Sequence, residues 1–214
     1  MESEASERTE LNADAWQFDA TDLKVICDRH NLNGMQKKAL QDSLVKRLLI
    51  VQGPPGTGKT HLLTAACVAH QELRRKLYLS APSNLGVLNL IERAETKDIH
   101  VVVVASELNK KLPQRMLDKS IARLASEAEG SGHTKSVKKR RAEYRLKLLT
   151  EADALVGTCQ SGGSVYLQHD FPACIQSLIV DEAGQASEPD TLAPMMHLSS
   201  DAHVLLVGLS LIHI

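Results

Sequence analysis

Leu48-Leu-Ile-Val51 is an uninterrupted apolar run, and it empties into Gln52-Gly-Pro-Pro-Gly-Thr-Gly-Lys-Thr60. The run predicts a buried β-strand, because it carries no polar alternation and stops at a glycine-rich turn. Beyond it, Leu62, Leu63, Ala66, Val68 and Ala69 recur at helical spacing, with charge gathered only near Arg74. Strand, glycine turn and helix together fit G-x-x-x-x-G-K-[ST] without a mismatch. The chemistry asks for this arrangement. Gly53, Gly56 and Gly58 let backbone N–H groups converge on phosphate oxygens, with Pro54, Pro55 and Thr57 completing the loop. The helix that starts near Lys59 turns its positive end toward the same anion. Lys59 is expected to reach the β- and γ-phosphates, and the Thr60 hydroxyl to ligate Mg²⁺.

Working outward, short apolar runs alternate with amphipathic stretches. Leu77–Leu79, His100–Ala105, Ala154–Val156, Ser177–Asp181 and His203–Val207 predict further strands, and Asn84–Arg93 a further helix. Continuous apolar strands between helices predict an α/β fold with a parallel sheet covered on both faces. Residues 106–150 break the rhythm. Pro113 can start a helix bearing Met116, Leu117, Ile121 and Leu124, Gly130-Ser-Gly132 can end it, and Ser136–Leu149 predicts a second helix. This reads as a helical hairpin inserted in the α/β domain.

Ile179-Val-Asp181-Glu182 supplies the second requirement of a nucleotide hydrolase. An apolar strand ending in Asp carries that carboxylate to the C-terminal edge of the sheet, and the expectation is a strand neighbouring the phosphate loop. Asp181 would hold Mg²⁺ through water, and Glu182 would act as general base on the attacking water. Loop and acidic pair together predict ATP·Mg²⁺ binding and hydrolysis. A different P-loop ATPase, such as an AAA-type remodeller or a helicase loader, is the second reading. A nucleotide-switched binding module without catalysis is the third, and intact Lys59, Asp181 and Glu182 count against it.

Five ordered segments resemble the superfamily 1 helicases of the senataxin and nonsense-mediated-decay type. Gln52–Thr60 is similar to their phosphate loop. Asp181-Glu-Ala-Gly-Gln-Ala-Ser-Glu-Pro189 is similar to motif II, Leu32-Asn-Gly-Met-Gln36-Lys-Lys-Ala39 to the Q motif, Ala81-Pro-Ser-Asn84 to motif Ia, and Ala152–Thr158 to the strand before motif Ib. The resemblance implies a RecA-like P-loop domain over residues 21–208, the first of two that clamp ATP, the second lying outside this chain. It implies that Gln36 reads the adenine edge, that Ser83, Asn84 and Thr158 touch a single nucleic-acid strand, and that Gln185 helps position the γ-phosphate or couples to the strand. It points to RNA ahead of DNA as that strand, although both offer the same phosphates. Ser83 or Asn84 would equally cap a helix. Where the family continues x-Ala-Val-Asp, this chain has Leu85-Gly86-Val87-Leu88. The second hairpin helix carries Lys138, Lys139, Arg140 and Arg141 in a basic run set against Glu143, read as phosphate contacts, as a solvated face, or as a run that resembles a nuclear-import signal.

Lys plus Arg is 25 and Asp plus Glu 26, for a net charge of −1, which excludes a simple polycation. Aromatic residues are 3%, too few for a surface paved with stacking rings. No apolar run approaches the ~20 residues of a membrane span. Cys27, Cys67, Cys159 and Cys174 form no Cys-x-x-Cys pair, which predicts reduced thiols in a cytoplasmic or nuclear protein. Residues 1–20, rich in Glu, Ser and Ala, are expected to form an acidic mobile tail, docked by Trp16 and Phe18. After His203–Gly208 the family pattern expects Asp, but the chain has Leu209-Ser-Leu-Ile-His-Ile214. Those residues are what the end of a transposase sequencing adaptor encodes, and they are expected to be a non-native tail beside an aggregation-prone last strand. The 214-residue piece is expected to bind ATP·Mg²⁺ weakly and not to unwind a duplex.

Overall fold

In the computed structural model residues 20–105, 113–127, 135–163 and 175–208 are described. The acidic tail to Asp19, the hairpin turn at Gly130–Gly132, Cys174 and the segment 209–214 lie outside those residues. Six strands are present, β1 (Leu48–Gln52), β2 (Leu77–Ala81), β3 (Val101–Val103), β4 (Ala154–Thr158), β5 (Ile175–Val180) and β6 (Leu198–Gly208). They form one sheet in the order β1-β6-β5-β2-β4-β3, every pairing parallel. The α/β expectation therefore holds.

Side chains alternate across this sheet. Leu77, Leu79 and Ala81 of β2 join Val101 and Val103 of β3, Val156 of β4, Ile179 of β5 and Leu205 and Val207 of β6 in one buried cluster. Helices α1 (Ala20–Arg29), α2 (Gly34–Val45), α3 (Lys59–Glu72) and α4 (Asn84–Glu95) cover that side, sending in Ile26, Leu40, Leu62, Leu63, Val87, Leu90 and Ile91. Tyr78, Val102, Leu155, Leu178 and Val180 point the other way, toward Ile121 and Leu149. These come from α6 (Ile121–Glu127) and α7 (Lys135–Glu151). Each fully buried Leu or Ile is worth ~1.5–3 kcal/mol relative to exposure, so the two clusters fasten helices to both faces of the sheet.

β1 departs from the expected buried strand. It is an edge strand with Leu48 53% and Ile50 59% exposed, while Leu49 and Val51 pack inward. The expected last-strand liability moves with it, since β6 lies between β1 and β5 with Leu205 and Val207 buried. The hairpin's first helix is also split, into α5 (Gln114–Asp118) and α6. The cause is local. Lys119 O accepts from Val103 N at 2.9 Å, and the Ser120 hydroxyl accepts from Arg123 N at 3.2 Å, capping a new helix. α7 extends to Glu151 and so gains a second acid, which pairs with Lys147 at 3.8 Å. The α8 turn (Glu188–Leu192) follows β5 and is capped by Ser187.

One buried polar network ties the layers together. His70 near the end of α3 takes the Ser177 hydroxyl of β5 at 2.7 Å on Nδ1, and Arg75 Nη1 lies 3.3 Å from the same nitrogen. Arg75 also donates to Leu44 O in α2 at 3.3 Å. Arginine can only donate, so Nδ1 is the acceptor and the imidazole proton sits on Nε2. Burial pushes His70 well below the usual histidine range, with the Arg75 guanidinium acting in the same direction.

Candidate nucleotide and nucleic-acid site

The loop between β1 and α3 turns through Gly56 at φ +80° and Gly58 at φ +79°, a left-handed region that other residues enter at a cost. A Cβ on Gly53 would stand 2.8 Å from the Thr57 hydroxyl, which itself donates to Pro54 O at 2.9 Å. Lys59 donates to Gly53 O at 2.5 Å and Pro54 O at 2.8 Å. Its ammonium thus lies folded over the loop, and reaching a phosphate means exchanging these two carbonyls for phosphate oxygens.

The acidic pair stands at the same edge of the sheet, but on the next strand but one. β6 intervenes between β1 and β5, contrary to the expected neighbouring strand. β6 ends at this junction in Gly208. Its carbonyl accepts from Gly53 N at 3.4 Å, and a Cβ there would stand 3.0 Å from Gly184 N. Backbone alone thus bridges the phosphate loop and the turn after β5. Asp181 follows β5 directly, its backbone N–H held by Ser80 O at 2.9 Å. Glu182 has φ +54° and donates its N–H to Asp181 Oδ1 at 2.9 Å. A strained non-glycine residue of this kind persists only where its surroundings fix it. A Cβ built on Gly86 of α4 would lie 3.6 Å from Glu182 Oε2, so the carboxylate rests against the first turn of that helix. Gln185 is exposed and lines the same cleft, of about 410 Å³, as Pro55, Gly56, Gly58, Lys59, Thr60, Asp181, Glu182 and Gly208. A wider groove of about 610 Å³ lies at the opposite sheet edge and holds none of the predicted site residues.

Gln36 is brought to the loop, but its amide is already committed. Oε1 accepts from Asn33 N at 2.9 Å in a capping box, and Nε2 donates to Thr57 O and Gly58 O, both at 3.2 Å. In this rotamer it braces the phosphate loop, and pairing with adenine requires release of those contacts.

Sequence reading missed Arg93. Its Nη1 donates to Asp181 Oδ2 at 2.8 Å, and its Nη2 lies 3.5 Å from Thr60 Oγ1. A cation therefore already sits between one hydroxyl and one carboxylate, the hard oxygen donors Mg²⁺ takes. Among the described residues no group of three or more His, Cys, Asp or Glu is placed to hold a metal ion by itself. Thr60 and Asp181 thus fit a cation that completes its shell from phosphate and water. Beneath them, burial pushes the Cys67 thiol up to about 12, which leaves it protonated and unreactive.

The motif Ia and Ib residues leave the sheet side by side, because Ala81 of β2 pairs with Thr158 of β4. Ser83 caps α4, accepting from Gly86 N at 3.0 Å, and Asn84 is the first residue of that helix. Thr158 Oγ1 accepts from Ser161 N at 3.2 Å. Leu88, where the family has Asp, packs half-buried against the core. On α7, Lys139 and Arg140 are exposed and Arg141 is half-buried, while Lys139 stands 3.9 Å from Glu143. The Lys138 side chain lies outside the described residues. Lys139, Arg140 and Arg141 do not line the nucleotide cleft.

A parallel sheet with a phosphate loop after its edge strand and an Asp-Glu pair at the same edge defines the P-loop nucleotide-binding class. Within it, a family model described as an AAA domain matches residues 31–131 and 107–208, and the chain belongs to that family. It is 28% identical over 203 residues to regulator of nonsense transcripts 1 of Dictyostelium discoideum, covering 83% of this chain and 15% of the relative. It is 28% identical to the ATP-dependent helicase NAM7 of Saccharomyces cerevisiae, with 83% and 20% covered. Against the ATP-dependent helicase upf1 of Schizosaccharomyces pombe it is 30% identical, with 83% and 21% covered. The chain thus spans 15% to 21% of the length of these relatives. They support the superfamily 1 reading over the AAA-type remodeller. A solved nuclease-deletion mutant of the Type ISP restriction-modification enzyme LlaGI shares the fold, with a TM-score of 0.50, 16% identity, and 84% of this chain and 17% of that one covered.

Proposed function

We propose that this chain is the first RecA-like ATPase domain of a superfamily 1 helicase that couples ATP hydrolysis to movement along single-stranded nucleic acid, RNA ahead of DNA. The observation that carries the reading is the single cleft gathering Lys59, Thr60, Asp181, Glu182 and Gln185. In this reading the loop N–H groups and Lys59 bind the β- and γ-phosphates. Thr60 and Asp181 hold Mg²⁺, whose bound charge neutralises the phosphates. Glu182 accepts a proton from the attacking water, and Gln185 orients the γ-phosphate. Ser83, Asn84 and Thr158 form the strand-facing edge next to this cleft, and α7 adds phosphate contacts through Lys138, Lys139, Arg140 and Arg141.

A second RecA-like domain of the same protein would close over the nucleotide and supply arginine fingers, worth ~10³–10⁵ in rate. The 214-residue piece on its own is proposed to bind ATP without unwinding a duplex. The protein is proposed to work in the cytoplasm or nucleus. The test is hydrolysis by the full-length protein with and without a single strand. Lys59→Ala is expected to abolish strand-stimulated hydrolysis, and wild-type turnover in that variant would overturn the reading.

A further inference from the structure

Arg93 occupies the nucleotide cleft, yet neither the phosphate loop nor motif II accounts for it. It projects from the last turn of α4, with its side chain 26% exposed and that of Asp181 18% exposed. Its two contacts are the Thr60 hydroxyl and the Asp181 carboxylate, the two oxygens argued above to hold a divalent metal. A guanidinium carries five N–H donors, more than these contacts use, and Arg93 lines the same cleft as Lys59.

We propose that Arg93 is a resident cation for the metal position. This rests on the ATP-site reading above. The guanidinium bridges Thr60 and Asp181 and offers its remaining donors to nucleotide phosphates, and it yields the two oxygens when a divalent metal is bound. The site then keeps a positive charge beside the phosphates whether or not metal is present. Two facts favour this role over a surface ion pair. Asp181 takes Arg93 on Oδ2 and its own chain's N–H on Oδ1, so the guanidinium is the cation this carboxylate faces. The Thr60 end of the contact ties Arg93 to the first turn of α3 as well as to Asp181 just after β5, spanning both halves of the site.

The test is binding of a fluorescent ADP to the 214-residue chain, by anisotropy, in excess EDTA and in saturating Mg²⁺. Arg93→Gln is expected to weaken binding about tenfold or more in EDTA, the loss of a charge-assisted hydrogen bond, and no more than about threefold in Mg²⁺. Arg93→Lys, which keeps the charge, is expected to fall between wild type and Arg93→Gln in EDTA. Equal losses in both conditions would make Arg93 a structural or simple phosphate contact and overturn the inference. So would unchanged or tighter binding in EDTA. If Arg93→Gln fails to fold, the Arg93→Lys comparison decides, because any EDTA-selective loss still requires the role and its absence refutes it. A wild-type chain that binds no ADP even with Mg²⁺ refutes the ATP-site reading itself, a result distinct from the other failures.

Discussion

Acidification tests how the two halves of the nucleotide site are kept in register. α3 begins with Lys59 and Thr60, and β5 is followed by Asp181. Their other ends are joined by His70 Nδ1 and the Ser177 hydroxyl at 2.7 Å, with Arg75 on the same nitrogen. His70 is 1% exposed and its pKa lies well below the ordinary value, so the folded protein keeps it neutral. The unfolded chain takes up a proton near pH ~6.5. Unfolding therefore binds a proton below that pH, and stability contributed by neutral His70 is complete above it and falls as pH drops. Between pH 7.5 and 5.5 the loss from one such histidine is about 1.4 kcal/mol. For a domain of this size that lowers the melting temperature by about 3–5 °C. His197 and His203 are also depressed by burial and add to the drop. The assay is calorimetric melting of wild type and His70→Asn at both pH values. Asn offers an acceptor close to Nδ1 but does not titrate, so its pH-dependent drop should be smaller than wild type's by about 3–5 °C. An identical drop in both proteins would refute the clamp as the source.

Two further outcomes follow from the same geometry. Gln36→Ala removes the capping-box acceptor and both braces on the phosphate loop, so the melting temperature should fall by about 2–4 °C, a loss of ~1 kcal/mol. An unchanged melting temperature would mean that the amide does not hold the loop. Replacing Lys139, Arg140 and Arg141 together by Ala should reduce the salt dependence of single-strand binding by the full-length protein, with the log–log slope falling by about 2. An unchanged slope would leave α7 as a solvated basic face.

The phosphate loop was legible because its signal is local. An apolar run, glycines where the backbone needs positive φ, and Lys-Thr at the helix start all fall within Leu48–Thr60. Asp181 and Glu182 were legible for the same reason, since the end of an apolar strand fixes where the carboxylates emerge. Strand order is not local. Leu48 and Ile50 read as buried because an edge strand and an internal one share the same apolar pattern. Nothing in Ile175–Asp181 announces that β6 slips between it and β1; Gly208, where the backbones of β6 and the following turn approach closely, carries no such message in the sequence. The break at Lys119-Ser120 was hidden because a capping serine inside an apolar periodicity looks like an ordinary helical residue. Arg93 had no motif to mark it. On an amphipathic helix it reads as surface charge, and only the fold brings it to Thr60 and Asp181. Gln36 was found by its motif, yet its contacts with Thr57 O and Gly58 O depend on how α2 lies against the loop.

Residues 53–60 and 181–185 are proposed to form one working nucleotide site. Equilibrium titration of a fluorescent ATP analogue with Mg²⁺ into the 214-residue chain tests it most directly, with Lys59→Ala alongside. Saturable binding by the wild-type chain is expected, with a loss of about tenfold or more in Lys59→Ala, the cost of a charge-assisted phosphate contact. Binding of equal strength in the two proteins, or no saturable binding in either, would contradict it.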